Sequence, residues 1–178
     1  MQRTKAETVA KFFPDFIEKY KDWPAIAMSD ISELEEVLKP IGLYRQRAKR
    51  LKALGIEMYN RGGVFPKSGE ELMAIPFLGQ YISNAVKLFS FNDPSPLLDV
   101  NMARALERFF GERKLADIRY DPYLQELAHR VINVEDPVLL NWAILDFGAL
   151  VCKAQNPACH VCILRRKCRF YQLNKLGL

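Results

Sequence analysis

The chain has 178 residues, of which 49% are hydrophobic, and carries a formal charge of +5. That length suits one compact unit or two small subdomains with a real core, and no apolar run approaches the ~20 residues of a membrane span. Met1-Gln2-Arg3-Thr4-Lys5 leads into an amphipathic stretch rather than the apolar core of a secretory signal, so a cytoplasmic protein is expected.

Taken in chain order, the pattern is helical. Val9, Phe12, Phe13, Phe16 and Ile17 recur at helical spacing between Thr8 and Tyr20. Ser29 or Ser32 is placed to cap a helix through Val37 and Leu38, which Pro40 stops. Arg47 to Arg61 forms a basic amphipathic helix ending at Gly62-Gly63. Ser68 caps a helix through Leu72 and Met73, broken at Pro76, and another runs from Tyr81 to Phe89. Asn92-Asp93-Pro94-Ser95-Pro96 is rich in turn formers. Asp99 opens a helix that reaches Phe110 and closes at Gly111. Pro122 to Val131 and Pro137 to Val151 supply two further helices. Strand-type alternation, repeats and low-complexity tracts are lacking, which gives an all-α fold class. The positive balance of charge suits either a polyanion, bound through phosphate neutralisation, or a solvated lysine-rich surface.

All four cysteines, Cys152, Cys159, Cys162 and Cys168, fall near the C-terminal end with the spacing C-x6-C-x2-C-x5-C. Disulfides do not suit a chain without secretion features. Four thiolates can hold a structural zinc ion or a [4Fe–4S] cluster. A zinc ribbon offers two close cysteine pairs, whereas this chain has one pair and a first cysteine that ends a helix, so the balance favours the cluster.

This cysteine spacing is similar to that of endonuclease III and its relatives. Asn141-Trp142-Ala143-Ile144-Leu145-Asp146-Phe147-Gly148-Ala149 resembles the helix that leads into the cluster in MutY and in the archaeal thymine–guanine mismatch glycosylases. Ile75-Pro76-Phe77-Leu78-Gly79-Gln80-Tyr81 resembles the family's helix-hairpin-helix turn L-P-G-V-G-x-x, with Phe77 in place of the first glycine. Leu98-Asp99-Val100-Asn101-Met102-Ala103-Arg104 resembles its V-D-x-N-x-x-R. The chain is therefore identified as a member of the endonuclease III/MutY helix-hairpin-helix DNA glycosylase superfamily, on the archaeal mismatch-glycosylase branch.

The resemblance implies a helical barrel domain over 1–97, with its hairpin at about 70–90, and a cluster domain over 98–178 whose [4Fe–4S] loop spans 152–168. Cys152, Cys159, Cys162 and Cys168 are the implied ligands. Asp99 is the implied catalytic carboxylate, since a fixed anion stabilises the positive charge that develops on deoxyribose when an N-glycosidic bond breaks. The same residue suits a helix N-cap. Tyr81 stands where bifunctional members place their Schiff-base lysine. A monofunctional enzyme is thus expected, with Tyr81 lining the base pocket. Gly79 and Gln80 belong to the phosphate-binding turn. Gln2 and Leu43, in stretches similar to the family's Q-x-T and G-L-Y, are expected to enter the duplex where the base leaves it. Lys153, Arg165, Arg166 and Lys167 lie in a loop that faces the DNA backbone in relatives. Arg45, Arg47, Lys49 and Arg50 are either phosphate contacts or a solvated helix face.

Relatives carry further helices before the position matched by Met1, including the site of MutY's catalytic glutamate. The match thus lacks those N-terminal helices. No stretch of these 178 residues is expected to form MutY's C-terminal domain for oxidised guanine. The expected activity is base excision repair of thymine or uracil opposite guanine, by a monomer acting on double-stranded DNA in the nucleoid. The alternatives are an adenine glycosylase without its recognition domain and a DNA-binding paralogue with weak catalysis.

Overall fold

The computed structural model describes residues 4–176. Among them every regular element is helical and no strand occurs, as the lack of alternation implied. The chain forms two compact units, Met1–Gly79 and Gln80–Leu178. No helix among the described residues is long and apolar enough to cross a membrane.

The first unit contains α1 (Ala6–Lys19), α2 (Trp23–Met28), α3 (Ile31–Leu38), α4 (Tyr44–Asn60) and α5 (Gly69–Ala74). Short polar caps start several of them, because a side-chain oxygen satisfies an N–H left over at a helix start. Asp22 Oδ1 accepts from Ala25 N at 2.8 Å for α2, and Ser68 caps α5. At α3 the cap is Asp30 rather than Ser29 or Ser32. Its Oδ1 accepts both the backbone N–H of Ser32 and the Ser32 hydroxyl, at 2.8 and 2.7 Å. A carboxylate is the stronger acceptor, and Ser32 becomes its donor.

Phe16, Tyr20, Ile26, Leu34, Leu38 and Ala48 form the core of this unit. Helix α4 packs on α2 and α3. The crossing with α2 depends on Gly55, where an added Cβ would lie 2.6 Å from Ile26 Cγ2 and 3.1 Å from the Ala27 nitrogen. Helix α4 begins at Tyr44, one turn earlier than its periodicity suggested, because Arg47 turns inward. The Arg47 guanidinium donates to the Ile41 carbonyl and the Thr4 hydroxyl at 2.7 and 2.9 Å.

The second unit contains α6 (Gln80–Phe91), α7 (Val100–Phe110), α8 (Pro122–Ile132), α9 (Pro137–Leu150) and α10 (Arg169–Leu176). Leu98, Met102, Ala103, Leu106, Leu124, Leu127, Ala128 and Ile132 make its core, with Leu140, Ile144 and Leu145 of α9 against it. Helix α7 is central and packs on α8, α9 and α10. It approaches α9 at Gly148, where a Cβ would sit 2.9 Å from the Asn101 carbonyl oxygen. Asp121 is fully buried and caps α8 through Leu124 N, while its other oxygen accepts from Lys114 N and Leu115 N at 2.8 Å each.

Candidate functional site

Asp99 stands at the junction of an irregular segment and α7. The segment from Asp93 to Leu98 has no regular structure, and Ser95 to Leu98 are buried, so its backbone groups need partners. Two amides supply several of them. Asn84 of α6 donates to the Pro96 carbonyl at 2.9 Å. Asn141 of α9 accepts from Leu97 N at 2.7 Å and donates to the carbonyls of Ser95 and Pro137 at 3.2 and 2.8 Å. The chain therefore reaches Asp99 along a fixed path.

Asp99 does cap α7. Its Oδ1 accepts from the backbone N–H groups of Asn101 and Met102, both at 2.8 Å, and its Oδ2 accepts from Asn101 Nδ2 at 3.0 Å. The cap and the proposed catalytic role are compatible. The helix end and its N–H groups fix the direction of a half-buried carboxylate. Tyr81, in the first turn of α6, is 41% exposed. Partial burial, and then the negative charge of Asp99, push its phenol above the usual range. Tyr81 and Asp99 thus share one electrostatic neighbourhood, with the phenol neutral at physiological pH.

The side chains that tie this site to the cysteines gave a weaker sequence signal. Asn101 Oδ1 accepts from Arg104 Nη2 at 2.9 Å. The same guanidinium donates to the carbonyls of Gly148 and Cys152 at 2.6 and 2.9 Å. Arg104 closes the V-D-x-N-x-x-R-like stretch three residues after Asn101, a spacing that puts both on one face of α7.

All four cysteines line one cavity, together with Arg108, Phe109, Phe147 and Phe170. None is in a disulfide and all are half-buried. Arg108 braces the loop. It donates to the Lys153 and Ala154 carbonyls at 2.7 and 3.0 Å, lies 3.5 Å from Cys152 Sγ, and stacks 4.7 Å from the Phe170 ring centroid. Burial, and then the other three thiols, push the Cys159 thiol up, partly opposed by Arg108. Among the described residues no three His, Cys, Asp or Glu side chains are placed to hold a metal ion. The donor set is nevertheless soft, free of disulfides, and gathered around one cavity, which suits a thiolate-held group.

The expected nucleic-acid contacts are distributed over both units. Gln2 lies outside the described residues. In the first unit Leu43 is 43% exposed and has φ 49°, a left-handed conformation unusual for a β-carbon-bearing residue. Arg45, Lys49 and Arg50 are exposed on α4, whereas Arg47 serves the internal bonds already described. Gly79 is exposed and an added Cβ there would meet nothing within 4 Å. The left-handed residue of the turn is not Gly79 but Phe77, at φ 76° and 41% exposed. That conformation costs a bulky residue ~1–3 kcal/mol. The Arg50 guanidinium lies 5.7 Å from the Phe77 ring centroid, a contact that returns only ~0.5–1 kcal/mol at an exposed site. In the second unit the Gln80 amide is bonded to Gln125 at 2.7 Å. Lys153 and Arg166 are exposed, and Arg165 is half-buried and donates to the His160 carbonyl.

Residues 1–131 match the model of the HhH-GPD superfamily base excision DNA repair proteins. The chain is 34% identical over 176 residues to a thymine-DNA glycosylase of Aeropyrum pernix, a match that covers 96% of this chain and 78% of the relative. It is 32% identical to a thymine/uracil-DNA glycosylase of Pyrobaculum aerophilum, covering 97% of this chain and 77% of the relative. Among solved structures, a thermostable thymine-DNA glycosylase superposes with a TM-score of 0.90 at 30% identity, covering 96% of this chain and 79% of that one.

Proposed function

Because the chain belongs to the HhH-GPD superfamily of base excision DNA repair proteins, we propose that it is a monofunctional DNA glycosylase that releases thymine or uracil mispaired with guanine. The observation that carries this reading is the Asp99 carboxylate, fixed at the start of α7 beside the neutral phenol of Tyr81. Tyr81 has no amine to form a Schiff base, so water is the nucleophile. The bond from C1′ to the base nitrogen breaks and its electron pair leaves with the base, which takes up a proton. Asp99 stabilises the positive charge left on the sugar and accepts a proton from the water that adds to C1′. Tyr81 offers a face for stacking and a hydroxyl for hydrogen bonding to the extruded base.

Cys152, Cys159, Cys162 and Cys168 would hold a [4Fe–4S] cluster, for which four free thiols around one cavity are a suitable donor set. When bound it supplies a rigid centre for the 152–168 loop. Arg104 and Arg108 tie the backbone of that loop to α7. Double-stranded DNA is the proposed partner of a monomer in the nucleoid. Leu43 and Gln2 would enter the duplex. Gly79, Gln80, Lys153, Arg165 and Arg166 would meet its backbone.

The test is base release from duplexes with T·G, U·G, A opposite 8-oxoguanine, or thymine glycol, followed by alkali. Cleavage of the T·G and U·G strands alone is expected. Cleavage at adenine would select the adenine-glycosylase alternative, a nick before alkali would exclude the monofunctional mechanism, and intact strands throughout would indicate a non-catalytic paralogue. Asp99→Asn is expected to slow release by at least ~10²-fold while binding is kept, and an unchanged rate would remove Asp99 from the chemistry.

A further inference from the structure

Phe77 is the departure from the family's turn, and the structure places backbone strain on it. The ring in this strained turn is only partly covered. Ile75 and Leu78 anchor the turn at 2% and 3% exposure, while the Phe77 ring stands out at 41%. The Arg50 guanidinium lies over that ring, on an α4 face that also exposes Lys49. A contact of this kind at an exposed site is weaker than the strain it accompanies. Glycine at this position would adopt the same φ without strain. The free molecule therefore holds a partly exposed ring in a strained turn, and through it the direction of an exposed cation. A bound anion at this point would gain from that arrangement, since a guanidinium with a fixed direction needs less ordering to meet a phosphate.

We propose that Phe77 and Arg50 form a backbone clamp in which the ring orients the guanidinium onto a DNA phosphate at the hairpin turn. The proposal rests on the functional reading above only in taking duplex DNA as the ligand.

The experiment measures affinity for a labelled duplex carrying a tetrahydrofuran abasic analogue opposite guanine, over a series of salt concentrations, together with thermal melting of the full chain. Phe77→Gly is expected to stay folded, with lost strain and lost ring burial largely cancelling in the melt, yet bind about 5- to 10-fold more weakly, with a salt slope shallower by about 0.9, the equivalent of one lost phosphate contact. Arg50→Gln should show the same loss, the double variant should be no weaker than either single one, and Phe77→Tyr should bind like the parent. Parental affinity and slope in Phe77→Gly would overturn the clamp, as would losses that add in the double variant. Base release by the parent is scored separately. A parent that releases no base while Phe77→Gly binds weakly refutes the glycosylase reading and keeps the clamp. A parent that releases thymine while Phe77→Gly binds undiminished refutes the clamp alone.

Discussion

Asn141 shows how much a single buried amide can carry. It is fully buried and bonds three backbone groups, two of them in the segment that delivers Asp99. Asn141→Leu keeps the branched shape in a larger volume but leaves Leu97 N–H and the Ser95 carbonyl without that partner, so a loss of about 3 kcal/mol in urea unfolding is expected. A loss below ~1 kcal/mol would mean that other groups take over those bonds. Asp121 makes a pH-dependent counterpart. Its carboxyl is held below the ordinary carboxylate range, chiefly by the Leu115 N–H and also by those of Leu124 and Lys114, against burial. A folded-state value below the unfolded one means that the ionised form stabilises the fold. That contribution is complete above the unfolded value near ~4 and is lost as pH falls through the folded value. Melting temperature should therefore drop on acidification below that range, and Asp121→Asn should flatten this acid limb. An acid limb identical in the variant would remove Asp121 as its source. Asp121 was hidden in the sequence because its bonds to residues 114 and 115 lie across a loop with no periodicity to read.

At the scale of elements, most helices were readable from cap residues and apolar spacing, the short α3 and α5 among them, but α2 and α10 were not. Helix α2 has only six residues, too few for a helical period to stand out, and it exists because Ile26 packs beneath α4. Helix α10 carries little apolar periodicity and is held against α7. The α2–α4 crossing makes a sharp prediction at Gly55. Alanine would gain up to ~1 kcal/mol of helix propensity, but its Cβ would press on Ile26 and on the Ala27 backbone, at a cost of ~1–3 kcal/mol. Net destabilisation is expected in thermal unfolding, with Ile26→Val recovering part of it. A Gly55→Ala variant as stable as the parent would show that α2 slides freely. The hairpin is the opposite case: its motif is plain in the text of the chain, but which of its residues bears the left-handed conformation is not.

At the scale of the whole molecule, the cysteine site is the feature with the widest consequence. The purified protein is expected to be brown, to absorb near ~400 nm, and to contain iron and acid-labile sulfide, as a cluster held by cysteine thiolates does. A colourless protein containing zinc would refute the cluster. Cys159→Ser should reduce iron content and loosen the 152–168 loop, seen as faster proteolysis there. The sequence by itself determined the helical class and the family, and it supplied the residues proposed as reactive groups. Caps, periods and cysteine spacings are local patterns, set by which residue types a helix end or a metal accepts. Only the tertiary structure decided that Arg47 faces inward, that Arg104 and Asn101 link Cys152 to Asp99, and that Phe77 holds a strained turn beneath Arg50. Those facts depend on which side chains meet across elements far apart in the chain, and a guanidinium or a ring takes its role from the partner that folding brings to it.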